Sequence, residues 1–132
     1  MIKTKTADLT GPALDWAVAK CEGYKKRGAL RIVGGKPVVP CLDGGGQGYT
    51  PSTSWALGGP ILKRLMLDGM LLEAVDHEYR ESMPAFKATL TRWRTLSRAD
   101  TPLEAAMRCY VASNLGSEVD VPEALLLSLI HI

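Results

Sequence analysis

The chain has only three cysteines, and no two of them form a Cys-x-x-Cys pair. Cys21, Cys41 and Cys109 stand far apart, and an odd number of thiols cannot all pair within one chain. The sequence therefore predicts free thiols, which are typical of the reducing cytosol. Scattered cysteines and two isolated histidines, His77 and His131, also fail to provide the several converging donors that a metal site needs.

Long apolar runs and a strong charge imbalance are missing as well. The longest apolar run, residues 124–130, is far shorter than the roughly 20 residues that cross a bilayer. The first residues lack the apolar segment of a signal peptide. The net charge of +2 is too small to imply a nucleic-acid partner by itself. We therefore expect a cytosolic protein without a membrane partner.

The chain does contain enough apolar sequence for a core. Its 132 residues are 46% hydrophobic and 23% charged, as in a single folded domain. We place that domain at residues 1–124. Residues 125–132 form an apolar tail that is either a docking element or an artefact of the chain end.

The first of two main helices is marked at both ends. Thr10 suits an N-cap, and Pro12 falls in the first turn, where its missing N–H costs nothing. Asp15 lies near enough to the start to suit the helix dipole, and Gly23 ends the helix. A single apolar stripe follows helical spacing at Leu14, Ala17, Val18 and Cys21.

The last main helix begins at a capping box. The Thr101 hydroxyl can accept from the Glu104 amide, while the Glu104 side chain can reach back, and Pro102 takes the first helical position. Gly116 is the natural stop. Beyond it, Val119–Pro122 suggests an extended segment.

The remaining segments alternate between extended, looped and helical patterns. A hairpin is predicted at residues 29–41 around a Gly34-Gly35 turn, followed by a flexible loop at residues 43–48. A short helical turn capped by Ser52 or Thr53 comes next, and a second helical turn starts at Pro60 and ends at Asp68-Gly69. Strands are predicted at residues 70–79 and 85–94, with a loop at residues 95–100. Together these elements predict a compact α+β sandwich, with two main helices packed on a short antiparallel sheet.

Residues 49–61 form the most unusual window of the chain. After Pro51, three hydroxyl side chains and a helix start could face an anion, and Tyr49 and Trp55 could stack on a planar group. The structural alternative is that the hydroxyls cap a helix while Trp55 anchors the core, and the pattern favours this alternative.

Arg108 is the remaining candidate for contact with a ligand. It lies off the apolar stripe of the last helix. It is either a solvated or salt-bridged arginine, or its guanidinium group binds a carboxylate or phosphate as a two-pronged fork. The predicted ligand-binding residues are therefore Tyr49, Ser52, Thr53, Trp55, Gly58, Gly59 and Arg108.

Catalytic patterns are weak. Ser52, Thr53 or Cys109 could act as a nucleophile only if His77 approached in space, and no Gly-x-Ser-x-Gly elbow occurs. The glycine-rich segment ending at Gly48 lacks the lysine of a phosphate-binding P-loop. We predict no catalytic residue, no metal and no cofactor.

Three blocks in order, residues 7–22, 49–61 and 101–113, resemble the NinX-like family of small proteins from tailed bacteriophages and prophages. With residues 119–122, the resemblance spans most of the chain. It implies a phage accessory protein in the host bacterial cytoplasm, a two-layer or α-β-α sandwich, and no established reaction. The family usually has Asp immediately before the tryptophan of the second block, where this chain has Ser54.

Our leading hypothesis is a non-catalytic protein that binds a small anionic ligand such as a nucleotide, or a host protein. A nucleic-acid-associated protein that uses the basic residues 25–27 with Arg31 is an alternative from another class, and a small hydrolase is a third. A homodimer is plausible because small domains often gain buried area in this way.

Overall fold

The computed structural model describes residues 2–24, 30–40, 46–74, 85–90 and 95–130. Its helices are α1 (Gly11–Cys21), α2 (Trp55–Leu67), α3 (Pro102–Leu115) and α4 (Glu123–Ile130), with one 3-10 turn at Thr6–Asp8. Its strands are β1 (Ile2–Lys5), β2 (Arg31–Val33), β3 (Lys36–Pro40), β4 (Gly46–Gly48), β5 (Met70–Ala74), β6 (Phe86–Leu90), β7 (Thr95–Ala99) and β8 (Glu118–Val121). The predicted α+β class is confirmed.

The described strands form three small antiparallel sheets in place of the single sheet that we predicted. β1 pairs with β8, β2–β3–β4 form the second sheet, and β5–β6–β7 form the third. The first sheet pairs the first described strand with the last, since Ile2 lies opposite Val121. Each sheet is too small to bury a core by itself, so the helices supply most of the buried surface.

Helix α3 packs against α1, α2 and the β5–β6–β7 sheet. Its capping residue behaves as predicted, because the Glu104 amide donates to the Thr101 hydroxyl over 3.2 Å. Gly116 follows its last turn with φ of 92°, which favours glycine. Seven of its side chains are buried: Leu103, Ala105, Ala106, Met107, Cys109, Tyr110 and Val111.

Helix α1 is buried around its whole circumference over residues 13–19. The predicted single stripe was too narrow, since a helix covered on all sides needs apolar residues at nearly every position. Thr10 takes the N-cap position with extended backbone, although its side chain makes no cap hydrogen bond. Trp16 is a core residue here and only 3% exposed.

The predicted hairpin is confirmed, and it gains a third strand. Gly34 and Gly35 connect β2 to β3 with φ of 59° and 76°, as a two-residue hairpin turn requires. The loop prediction was wrong for residues 46–48, which pair with β3. Strands pair through their backbones, so a glycine-rich segment can join a sheet. Glycine is also needed at position 46, because a Cβ there would lie only 2.7 Å from Val38 Cγ1. Residues 43–45 lie outside the described ranges.

The third sheet corrects a second loop prediction. Residues 95–99 are strand β7, whose register on β6 runs from Leu90 opposite Thr95 to Phe86 opposite Ala99. The helix α3 packs on this sheet, and β7 still has polar and partly exposed residues. The sequence of β7 therefore lacks the alternation of apolar and polar residues by which strands were predicted. The strands predicted at 70–79 and 85–94 are confirmed as β5 and β6, the second beginning one residue later than predicted, and residues 75–79 and 91–94 fall outside the described ranges.

Helix α2 is one helix where we predicted two short turns. Pro60 lies inside it, although proline removes one backbone hydrogen bond and usually breaks a helix. The helix continues because Ile61, Leu62 and Leu65 are buried on its inner side and their burial offsets the lost bond. Its end at Asp68, followed by Gly69 with φ of 106°, is as predicted.

The apolar C-terminal residues form helix α4 after β8. Leu125 is completely buried, Leu126 packs on the core, and α4 contacts α1. The core therefore includes at least Leu125, beyond the boundary that we placed at residue 124. None of the helices in the described ranges is long and apolar enough to span a membrane.

Gly58 and Gly59 are neighbours in α2 with opposite surroundings. A Cβ at Gly58 would collide with the Pro51 carbonyl oxygen and lie 3.0 Å from Leu103 Cδ2. A Cβ at Gly59 would meet nothing within 4 Å. Gly58 is therefore required for the close packing of α2 on the preceding turn and on α3.

We expect Gly58→Ala to destabilise the fold by about 2 kcal/mol, because overpacking typically costs 1–3 kcal/mol. The matched control, Gly59→Ala, should stabilise it by about 0.5–1 kcal/mol, since alanine is the better helix former. Urea unfolding of both variants measures the two changes. Equal effects at the two positions would contradict the packing described here.

Candidate functional site

A cleft of about 200 Å³ opens where helices α2 and α3 begin. We call it the Trp55 cleft, and its lining residues are Ser52, Thr53, Trp55, Thr101, Pro102, Leu103 and Glu104. Trp55 is the first residue of α2, and Pro102 is the first residue of α3. The cleft therefore lies between two helix starts, with the turn before α2 as one wall.

A buried carboxylate holds that turn in place. The Ser52 amide donates to Asp15 Oδ1 over 2.8 Å, and both residues are almost fully buried. The Thr53 and Ser54 amides donate to the Thr50 carbonyl over 3.2 and 2.8 Å. The turn is thus closed by its own backbone and attached to α1 by a charge-assisted hydrogen bond.

Burial raises the pKa of the Asp15 carboxyl from its ordinary value near 3.8 to about 6. Hydrogen bonds from the Ser52 side chain and amide oppose this rise, and the nearby Glu104 charge adds to it. The sequence suggested only that Asp15 suits the helix dipole near the start of α1. The structure instead places Asp15 in the core, only 2% exposed, as an anchor for the turn.

The Ser52 hydroxyl lies buried next to the Asp15 carboxyl and is not open to the Trp55 cleft. The residue is 3% exposed, and its hydroxyl oxygen has no hydrogen-bond partner of good geometry among the described residues. The hydroxyl still lies close enough to Asp15 to favour the charged form of that carboxyl. The Asp15 carboxyl beside it accounts for a buried hydroxyl that would otherwise cost about 1–3 kcal/mol.

Trp55 lies on the surface, with 58% of its area exposed. The interpretation of this tryptophan as a core anchor was wrong. Gly58, one turn later, packs on Pro51 and Leu103, and the buried side chains of α2 come after it. At the outer end of the helix, the indole ring is left open to solvent beside the cleft.

The other predicted residues divide between the cleft and the core. Ser52, Thr53 and Trp55 line the cleft, whereas Tyr49 does not. Tyr49 is 5% exposed and packs edge-to-face on Tyr24 with 5.4 Å between ring centroids. Gly58 and Gly59 belong to α2 behind the cleft and do not line it.

Arg108 is turned inward and connects three parts of the fold. Its Nε donates to the Leu9 carbonyl over 2.7 Å, and its Nη1 donates to the Arg98 carbonyl over 2.8 Å. Its Nη2 donates to Glu104 Oε1 over 2.8 Å. The predicted fork for a ligand is therefore occupied by internal acceptors. Arg108 reaches the cleft only through Glu104, whose side chain pairs with it instead of closing the capping box.

A second cleft, of about 250 Å³, lies on another part of α3. Arg64 Nη2 donates to Glu22 Oε2 over 2.8 Å and to the Tyr110 hydroxyl over 3.2 Å. The Tyr110 hydroxyl donates to the same Glu22 oxygen over 2.8 Å. Burial and the Glu22 charge raise the Tyr110 pKa. These three groups satisfy one another, which is typical of a structural network.

The catalytic alternatives gain little from the described residues. Burial raises the pKa of the Cys109 thiol to about 11, so this thiol is neutral and unreactive near pH 7. The proposed base His77 lies outside the described ranges, as do the basic residues 25–27 of the nucleic-acid alternative. Within the described residues, no group of three or more potential metal ligands comes together.

Sequence reasoning missed Asp15 and the contribution of residues 101–104 to the cleft. A usable signal for Asp15 existed, because it is the one acid between Ala13 and Ala19 in a run that is otherwise apolar. A charge inside such a run needs a buried partner. Residues 101–104 were interpreted only as a helix cap, and nothing in the sequence places them opposite Trp55.

We expect Asp15→Asn to change how stability depends on pH. The folded-state pKa of Asp15 is raised, so its contribution to stability is complete below pH 3.8 and is lost as pH rises through 6. Asparagine keeps an oxygen for the Ser52 amide but has no charge to bury. Relative to the variant, the wild type should therefore lose about 3 kcal/mol between pH 3 and pH 7. A pH-independent difference in urea unfolding free energy would contradict the burial of this carboxyl.

Comparison with known proteins identifies a family that this chain matches. The family described as Bacteriophage P22, NinX matches residues 5–114, which include all three sequence blocks and every residue that lines the Trp55 cleft. No curated protein matches the chain. Since the match covers most of the 132 residues, the chain belongs to the NinX family of bacteriophage proteins.

Proposed function

We propose that this phage accessory protein is a non-catalytic binding protein that takes one planar group of a small ligand into the Trp55 cleft. The observation that carries the proposal is the exposed indole of Trp55 on the lining of a cleft between two helix starts. The indole offers a face on which a planar group can stack. Its site of action would be the cytoplasm of the infected bacterium.

The size of the cleft limits the bound group to about one ring. Its 200 Å³ is below the roughly 300–1,000 Å³ of pockets that hold drug-sized ligands. Pro102 and Leu103 give it apolar walls, and Trp55 provides an aromatic face. A nucleobase fits this description, because any base can stack on an aromatic side chain.

The charges around the cleft restrict how a nucleotide would bind. Among the described lining residues only Glu104 is charged, and Arg108 is occupied by internal acceptors. A phosphate would find no basic side chain among these described residues. The base of a nucleotide would therefore occupy the cleft while its phosphate stays in solvent.

A host-protein partner is the second candidate, and a different surface favours it. Met66, Leu67 and Leu71 lie around the turn between α2 and β5 and are 52%, 80% and 53% exposed. Large apolar side chains clustered at a surface are typical of protein contacts. This surface lies at the opposite end of α2 from Trp55.

We expect Trp55→Ala to weaken the binding of nucleosides and nucleotides by about 10-fold or more, because stacking on an aromatic ring contributes about 1–3 kcal/mol per base. Isothermal titration calorimetry with the four common ribonucleosides and their 5′-monophosphates measures this loss. Leu67→Ala is the matched control at the other end of α2 and should leave binding unchanged. Absence of binding to the wild type across the panel at millimolar concentration would exclude the small-ligand function.

A further inference from the structure

We propose that the outer face of the β5–β6–β7 sheet binds the same face of a second copy of this chain. The two sheets stack face to face around a two-fold axis that runs along their strands. This dimer uses a different surface from the Trp55 cleft and does not depend on a small ligand.

The two faces of this sheet differ in exposure. Successive side chains of a strand point to opposite faces. The inner face packs on α3 and includes four side chains that are at most 2% exposed: Met70, Ala88, Leu90 and Ala99. On the outer face, Leu71 is 53% exposed, Leu96 is 51% exposed, and the Glu73 side chain is 52% exposed. Large apolar side chains therefore meet water on the outer face.

The outer face carries a row of side chains with a leucine at each end. Leu71 on β5 lies opposite Thr89 on β6, and Thr89 lies opposite Leu96 on β7. Residues directly opposite each other in antiparallel strands project from the same face, so these three form one line across the sheet. We call this line the leucine row. It is apolar on both outer strands of the sheet and polar only at its centre.

A charged row crosses the same face about 7 Å away along the strands. Glu73 on β5 lies opposite Lys87 on β6, and Lys87 lies opposite Arg98 on β7. Lys87 Nζ is 3.8 Å from Glu73 Oε2, so part of its charge is balanced within the chain. The charged row therefore has an acid on one outer strand and a base on the other.

A two-fold axis along the strands makes both rows complementary to themselves. Stacked sheets can keep their strands nearly aligned, and this axis lays β5 of each copy over β7 of the other at the same position along the strands. Leu71 then faces Leu96 of the second copy, and Glu73 faces Arg98 of the second copy. Each contact occurs twice, because both copies use the same surface.

An axis across the strands gives no such match. It lays β5 over β5 and reverses the position along the strands. The leucine row then covers the charged row, or each charge faces its own copy, or the charged row lies outside the contact. Charges that lose water without gaining an opposite charge destabilise an interface. The side chains of the two rows therefore favour one of the two aligned arrangements.

Arg98 and Lys87 are compatible with this arrangement. Arg98 is partly exposed, and its guanidinium group has five N–H donors. It can therefore bind a carboxylate of the second copy in addition to its contacts within its own chain. Lys87 lies nearest the axis and faces its own copy, but Glu73 of the same chain lies beside it.

The small area of the face predicts a weak dimer. Three strands of five residues cover about 250 Å², with about 4.8 Å between strands and about 3.4 Å per residue. Stable interfaces bury about 800 Å² on each partner. Monomer and dimer should therefore exchange, with a Kd on the order of 100 µM.

Sedimentation equilibrium of the full chain, from about 10 µM to about 1 mM, tests the dimer. The wild type should dimerise as its concentration rises. Leu71→Asp should weaken the dimer about 10-fold or more, because it buries a charge against Leu96 of the second copy. Val33→Asp is the matched control and should leave the dimer unchanged, since Val33 is 57% exposed on a strand of another sheet.

Mixing two charge reversals tests the contacts across the axis. Glu73→Arg and Arg98→Glu each place like charges opposite one another, so each variant alone should be monomeric. In an equimolar mixture, an arginine of one variant faces a glutamate of the other at both contacts, so a heterodimer should form. Leu71→Asp mixed with Leu96→Lys is a second pair of this kind, at positions that are half exposed. Circular dichroism confirms that each variant is folded.

A wild type that remains monomeric at about 1 mM would overturn the inference. Leu71, which also belongs to the exposed cluster at the end of α2, would then be open to a host protein. A dimer that survives both Leu71→Asp and Glu73→Arg would lie on another surface and would also overturn it. Mixed variants that fail to associate in both pairs would contradict the axis along the strands. Nucleoside binding by the Trp55 cleft is measured separately and is unaffected by these outcomes.

Discussion

The hydrogen bond from the Ser52 amide to the buried Asp15 carboxylate connects the turn before α2 to helix α1. A charge in this position is costly, and its raised pKa records that cost. It attaches to α1 a turn that its own backbone hydrogen bonds close, whose Pro51 carbonyl packs against Gly58 and whose end starts α2. The position of Trp55 and the opening of the cleft depend on how this turn is held.

Local signals predicted the helix ends and the hairpin, because each depends on residues close together in sequence. The Thr101 hydroxyl caps its helix by accepting from the Glu104 amide three residues later. The Gly34-Gly35 turn forms at positive φ because glycine has no side chain. The strands at 46–48 and 95–99 could not be predicted in this way. They exist because neighbouring strands offer backbone partners, and pairing of this kind leaves little trace in a glycine-rich or polar segment.

The candidate site was predicted in part. Residues 49–61 were correctly singled out, but the sequence could not show which of their side chains face inward. Trp55 is open, since Gly58 and not the tryptophan takes the position against α3, whereas Tyr49 is buried and packs on Tyr24. Arg108 was chosen for its charge, yet its partners Leu9 and Arg98 are distant in sequence or contribute only backbone carbonyls.

Membership in the NinX family places the chain among phage proteins, and the geometry adds a specific binding hypothesis. The central claim is that a buried Asp15 carboxylate holds the Ser52 turn and so forms the cleft. NMR observation of the Ser52 amide across pH 4–8 tests it most directly. The account predicts one large amide-proton shift with a midpoint near pH 6, downfield as Asp15 ionises, because the amide donates to that carboxylate. A Ser52 amide that is insensitive to pH in this range, or an Asp15 carboxyl that titrates near its ordinary 3.8, would contradict it.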